Sequence, residues 1–108
     1  MTKKPVDTDI EVPKWDVALA ALALEEYAKQ GTGLTIDDFK RLAVAHATRF
    51  DDIIATIMEL TLAKQWQYRE ADGKARRFTR KDVNDLYVGG RIHEKDMAPF
   101  TGRWSPVT

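Results

Sequence analysis

Six cationic side chains, Arg69, Lys74, Arg76, Arg77, Arg80 and Lys81, fall in one short stretch of the sequence. Clustered arginine and lysine neutralise phosphates and release condensed counterions, so this is chemistry for a nucleic-acid backbone whose affinity would fall steeply with salt. The competing reading is a strand edge protected by its charge. Other chemistries have less to work with. The absence of cysteine removes disulfides, thiolate nucleophiles and the common zinc sites. His46 and His93 lack ligand spacing, no glycine-rich phosphate loop is present, and no serine sits in a nucleophile motif. The expectation is therefore a protein that is not an enzyme, with no cofactor and no metal. Asp37-Asp38 and Asp51-Asp52 stand at helix starts, where negative charge is stabilised by the helix dipole, and that reading is preferred to a metal site.

The elements that would hold these cations follow from the patterning. Seventeen basic and seventeen acidic residues cancel, so net charge alone draws the protein to no polyanion. Their distribution is polarised. Residues 5–63 hold five basic and eleven acidic residues, a balance of −6, and residues 64–81 hold seven basic and two acidic, a balance of +5. With 108 residues, 44% hydrophobic and 31% charged, the chain has the size and composition of one soluble globular domain.

Residues 1–12, with Lys3-Lys4, read as a flexible N-terminal arm. Pro13 suits the first turn of a helix over 15–30 that Gly31 and Gly33 would stop, and the apolar run 17–24 wraps so far round that the helix should be enclosed on several sides. Thr35 with Asp38 has the spacing of a capping box, opening a second helix with Ile36, Phe39, Leu42, Ala43 and His46 on one stripe; His46 reads as a core-edge histidine. Thr48 with Asp51 repeats the device after a very short turn, as in a helix-turn-helix. In the third helix Phe50, Ile53, Ile54, Ile57, Leu60 and Thr61 should point inward, leaving Asp52, Ala55, Thr56, Glu59 and Ala63 outside. The period then changes to two: Trp66 and Tyr68 alternate with Gln67 and Arg69, Asp72-Gly73 marks a hairpin turn, and Arg77-Phe78-Thr79 returns as the second strand. Trp66 and Phe78 must anchor so small a hairpin. Thr79 with Asp82 opens a short last helix that Gly89-Gly90 would stop.

This order of three helices, a basic two-stranded hairpin and a short C-terminal helix resembles the winged helix-turn-helix superfamily, an α+β and mostly α fold. The segment 60–69 leading into Asp72-Gly73-Lys74-Ala75-Arg76-Arg77 and then a threonine-capped helix is closest to its MarR-like branch. The resemblance implies a winged-helix domain over 13–88 and double-stranded DNA as the ligand, in transcriptional or replication control. It would set Arg49, Asp52, Thr56 and Glu59 of the third helix toward bases and Lys74, Arg76 and Arg77 of the wing toward phosphates. It also implies a homodimer built by long terminal helices, and neither end of the sequence carries one.

The sequence departs from that pattern where bases would be read. Asp51, Asp52 and Glu59 would each repel a phosphate-lined groove, with only Arg49 to offset them, so the wing is expected to lead. An alternative is a protein-interaction module, whose acidic helical face, through Asp52 and Glu59, meets a basic partner and whose tail orders on binding, unless Phe100 and Trp104 pack back on the domain, which is the preferred reading of the two. That tail, residues 89–108, is polar and proline-containing with Phe100 and Trp104 as isolated apolar residues, and is expected to be irregular. No apolar run approaches the roughly 20 residues of a bilayer span, and no signal peptide is evident, so no membrane contact and a cytoplasmic location are expected.

Overall fold

The computed structural model describes residues 15–107. The expected arm, with Lys3-Lys4, and the role given to Pro13 lie outside the described residues. Asp16 caps α1 (Val17–Gln30), accepting the Leu19 N–H at 3.1 Å, and Gly31 ends the helix at a left-handed φ of 76°. The helix is not enclosed as its apolar run suggests. Ala23 alone is buried, and Val17 and Leu24 are 61% and 50% exposed, because α1 lies on the outside of the fold and packs one face on the third helix.

At α2 (Ile36–Ala45) the capping box forms: the Thr35 hydroxyl accepts the Asp38 N–H at 3.2 Å, and the Asp38 carboxylate accepts the Thr35 N–H at 2.9 Å. Gln30 and Arg41 also donate to Asp38, at 3.1 and 2.8 Å. Burial pushes the Asp38 carboxyl up, but the bonds from Thr35, Gln30 and Arg41 outweigh it and hold the group below its ordinary value of 3.8. The Arg49 hydrogen bond depresses Asp51 in the same direction, and the bonds from Thr79 depress Asp82. A carboxyl lowered in the folded state is one that the unfolded chain protonates first. Its contribution is complete above the unfolded value and is lost as pH falls through the folded one. The urea midpoint should therefore fall from about pH 5 to about pH 2, and Asp38→Asn should flatten that descent. A descent of unchanged steepness in Asp38→Asn would remove Asp38 from the acid response.

The turn after α2 is closed by the backbone. Ala47 adopts a left-handed φ of 54°, and the Thr48 N–H returns to the Ala43 carbonyl at 3.0 Å. Committing Thr48 to that closure moves the start of the next helix on by one residue. α3 (Phe50–Leu62) has Arg49 at its N-cap with no side-chain cap, and the buried Thr48 hydroxyl makes no hydrogen bond among the described residues. The expected Thr48–Asp51 box is thus not made, and His46 is exposed rather than set at the core edge. Because a left-handed alanine carries a steric cost that glycine lacks, Ala47→Gly should raise stability by about 0.5–1 kcal/mol in urea denaturation.

α3 is the axis of the domain. It packs against α1, α2 and two strands, β1 (Trp66–Arg69) and the later β4 (Arg91–Ile92), and its Ile53, Ile54, Ile57, Met58 and Leu60 are buried. The return strand of the hairpin is β2 (Ala75–Arg76), slightly earlier than the expected 77–79. Trp66 is buried and Phe78 is packed partly against the core, as the anchoring requirement demanded. Thr79 and Asp82 form the second capping box, opening α4 (Arg80–Asn84), whose Val83 is fully buried.

The tail expected to be irregular is built into the fold. Gly89 and Gly90, expected to stop a helix, take φ values of 63° and 84° and turn β3 (Tyr87–Val88) back into β4 (Arg91–Ile92). Two successive positive φ angles suit a tight hairpin, which is why two glycines stand there. A single 3₁₀ turn, Glu94–Met97, leads to β5 (Arg103–Pro106). β5 pairs antiparallel with β1 on the side away from β2, giving the order β2-β1-β5, and Leu34 bridges to Trp104 on the far side through two hydrogen bonds of 2.7 and 2.8 Å. Ile92, Met97, Phe100 and Trp104 all join the core. The result is a mostly helical α+β domain, three helices followed by a small antiparallel sheet, compatible with the shape of a winged helix.

Candidate nucleic-acid interface

The wing turn is held by its own backbone. The Glu70 N–H bonds the Lys74 carbonyl and the Gly73 N–H bonds the Glu70 carbonyl, both at 2.8 Å, while Asp72 accepts the Lys74 N–H at 2.9 Å. Gly73 sits at φ 91°, a conformation that explains the Asp-Gly signal.

Four of the six expected wing cations have work inside the protein. Arg80 grips Glu59 with two hydrogen bonds of 2.6 and 2.8 Å. Lys81 pairs with Asp85 at 2.8 Å. Arg76 pairs with Glu70 at 3.3 Å, and its guanidinium lies 5.2 and 5.1 Å from the ring centres of Phe78 and Phe100, so it faces the aromatic core as much as the solvent. Arg69 donates to the Gly73 carbonyl at 3.0 Å. Lys74 and Arg77 differ. Both are exposed, and neither makes an ion pair among the described residues.

The third helix presents only part of the face assigned to it. Thr56, expected toward bases, is 4% exposed. Arg49 is tied to Asp51 through bonds of 3.0 and 3.3 Å, and the Arg91 guanidinium lies 4.0 Å from the same carboxylate. Glu59 is held by Arg80. Of the expected base-facing residues Arg49 and Asp52 are exposed; Arg49 is paired with Asp51, and the charge of Asp52 repels phosphate. In the other reading, Phe100 and Trp104 were to meet a partner. Trp104 is fully buried and Phe100 nearly so, which leaves them no surface to offer.

One cation of this surface escaped the sequence reading. Arg103 on β5 lies directly opposite Arg69 on β1, both exposed, while the neighbouring pair Tyr68 and Trp104 face the core with ring centres 4.4 Å apart. Arg103 donates to the Gly33 carbonyl at 2.7 Å. The available signal was the alternation of Arg103, Trp104 and Ser105, a half-buried strand in miniature. Arg69 and Arg103 line one groove of about 480 Å³ with Gly33, Gly73, Gly102 and Ser105.

Among the described residues there is no group of three or more histidine, aspartate or glutamate side chains placed to hold a metal, and no helix long and apolar enough to cross a membrane. No protein-family model, curated protein or solved structure matches the chain.

Proposed function

We propose that this chain is a winged helix that binds double-stranded DNA, in the control of transcription or replication, through phosphate contacts made by its wing and not through α3. Lys74 and Arg77 carry the reading: among the described residues these exposed wing cations have neither an ion pair nor a side-chain hydrogen bond, whereas Arg69 is bonded to the Gly73 carbonyl and Arg49, Arg80 and Lys81 are paired with carboxylates. A charge without a partner retains its full attraction for a phosphate. An ion-paired one must first give up its carboxylate. Arg69 and Arg103 extend the same surface across the sheet. Contacts of this kind fix position and carry no base code, so binding is expected to be largely independent of sequence.

Each neutralised phosphate contributes about −0.9 to the slope of log affinity against log salt. Replacing Lys74 and Arg77 together by alanine should make that slope shallower by about 2, and reversing both to glutamate should abolish measurable binding at about 0.15 M salt. Arg80→Ala should leave the slope unchanged, since Arg80 is committed to Glu59. Equal slopes in wild type and in the Lys74/Arg77 double alanine variant would remove the wing from the account.

A second reading rests on a different surface. Val17, Ala21, Leu24 and Ala28 of α1 are exposed at helical spacing, opposite the face that packs inward. An apolar stripe of this kind suits a protein-interaction module, and Leu24→Glu would abolish partner capture without touching the wing.

A further inference from the structure

Two arginines facing each other across neighbouring strands repel, and such pairs ordinarily weaken a sheet. Arg69 and Arg103 stand in that relation on the solvent face of β1 and β5, and neither is neutralised by a carboxylate among the described residues. Each is instead steadied by one main-chain acceptor, Arg69 by the Gly73 carbonyl and Arg103 by the Gly33 carbonyl. A guanidinium has five N–H donors, so both keep most of theirs for another acceptor. Glu70 also lines the groove, but its carboxylate is taken by the Tyr68 hydroxyl at 3.0 Å and by Arg76 at 3.3 Å.

Bare backbone at Gly33 and Gly102 forms part of the lining. Gly33 and Gly102 bring the backbone so close that a Cβ at Gly33 would lie 2.8 Å from the Arg103 Cβ, and one at Gly102 would lie 1.8 Å from the Arg69 carbonyl oxygen. Ser105 and Thr101 add hydroxyls to the lining. Planar, always-charged forks that share a groove with hydroxyls match the oxygens of a tetrahedral phosphoryl group.

We propose that Arg69 and Arg103 clamp a single phosphoryl group in this groove, supplied by the backbone of bound DNA; the source of the group rests on the DNA reading above, and its chemistry does not. The clamp answers the like-charge repulsion, since one anion between two guanidiniums turns a repulsive pair into a bridged one.

The test uses the whole protein and inorganic phosphate, titrated at constant ionic strength with chloride as the control, while the arginine Nε–H signals are followed by NMR. Saturable shifts of the Arg69 and Arg103 signals with phosphate and none with chloride are expected. Arg103→Ala should weaken phosphate binding about tenfold or more, as expected when a charge-assisted bond is lost. Arg103→Lys, which keeps the charge and loses the fork, should recover only part of it. An unchanged urea midpoint in both variants excludes a folding defect as the cause. No saturable shift, or equal phosphate affinity in Arg103→Ala, overturns the clamp.

A duplex arm separates the two readings. Arg103→Ala should make the salt slope of duplex binding shallower by about 1. If phosphate is clamped and duplex DNA binds with an unchanged slope in Arg103→Ala, DNA as the source is overturned. If phosphate is clamped and the wild-type protein binds no duplex at all, the proposed function falls and the groove remains a phosphoryl site.

Discussion

Trp104→Ala should destabilise the domain by about 3–5 kcal/mol, the cost of emptying a large aromatic site in a closed core. Whole domains of this kind are stable by only about 5–15 kcal/mol, so the variant would be marginal at room temperature. The size of the effect follows from position. Trp104 is fully buried in the middle of β5, hydrogen-bonded through its backbone to Leu34, and its ring centre lies 4.4 Å from that of Tyr68 and 5.7 Å from that of Phe39. Removing the indole takes away surface that joins α2, β1 and β5. Urea denaturation of Trp104→Ala beside Val107→Ala, at an exposed site near the same end, checks the claim. A midpoint for Trp104→Ala close to that of Val107→Ala would show that the C-terminal strand is an ornament on a three-helix core.

The second large effect is expected at Gly102, where the obstacle is backbone. A Cβ there would fall 1.8 Å from the Arg69 carbonyl oxygen and 2.8 Å from the Glu70 Cα, distances that no rotation of a side chain relieves. The entry of β5 into the sheet would have to move away from β1. That movement also strains the Gly102 N–H bond to the Tyr68 hydroxyl, 2.9 Å long and buried. Gly102→Ala should therefore cost about 3 kcal/mol or more, toward the upper end of single-substitution effects. Protection of the β1 and β5 amides against hydrogen exchange should collapse before that of α3. Uniform loss across the domain would mean that β5 and the helices unfold as one unit.

What the sequence made legible was local. Thr35 and Thr79 announce their helices because the carboxylate that completes each box lies three residues away, and both boxes form. Asp72-Gly73 announces the wing because the turn needs the positive φ of Gly73. Thr48 carries the same motif and fails, since the left-handed Ala47 draws the Thr48 backbone into closing α2. Gly89-Gly90 are equally consistent with a helix stop and a hairpin turn. Only the pairing of Tyr87 with Ile92 decides between them.

The site was legible in its charges and not in their partners. Arg80 and Glu59 are separated by 21 residues, and no periodicity links them. Thr56 is polar and yet buried, and the two-residue strand β4, which also packs on α3, is too short for pattern reading to detect. Arg103 was hidden for a similar reason. β5 is four residues long and ends on a proline, and its partner Arg69 lies far back in the chain.

The central claim is that DNA meets the wing and the sheet face and leaves α3 untouched. Residue-resolved NMR during titration with random-sequence duplex DNA, repeated at several salt concentrations, tests it most directly. The account predicts shifts at Arg69, Lys74, Arg77 and Arg103 that fade as salt rises, with Asp52, Thr56 and Glu59 silent. Shifts centred on α3, or a silent titration at low salt, would contradict it.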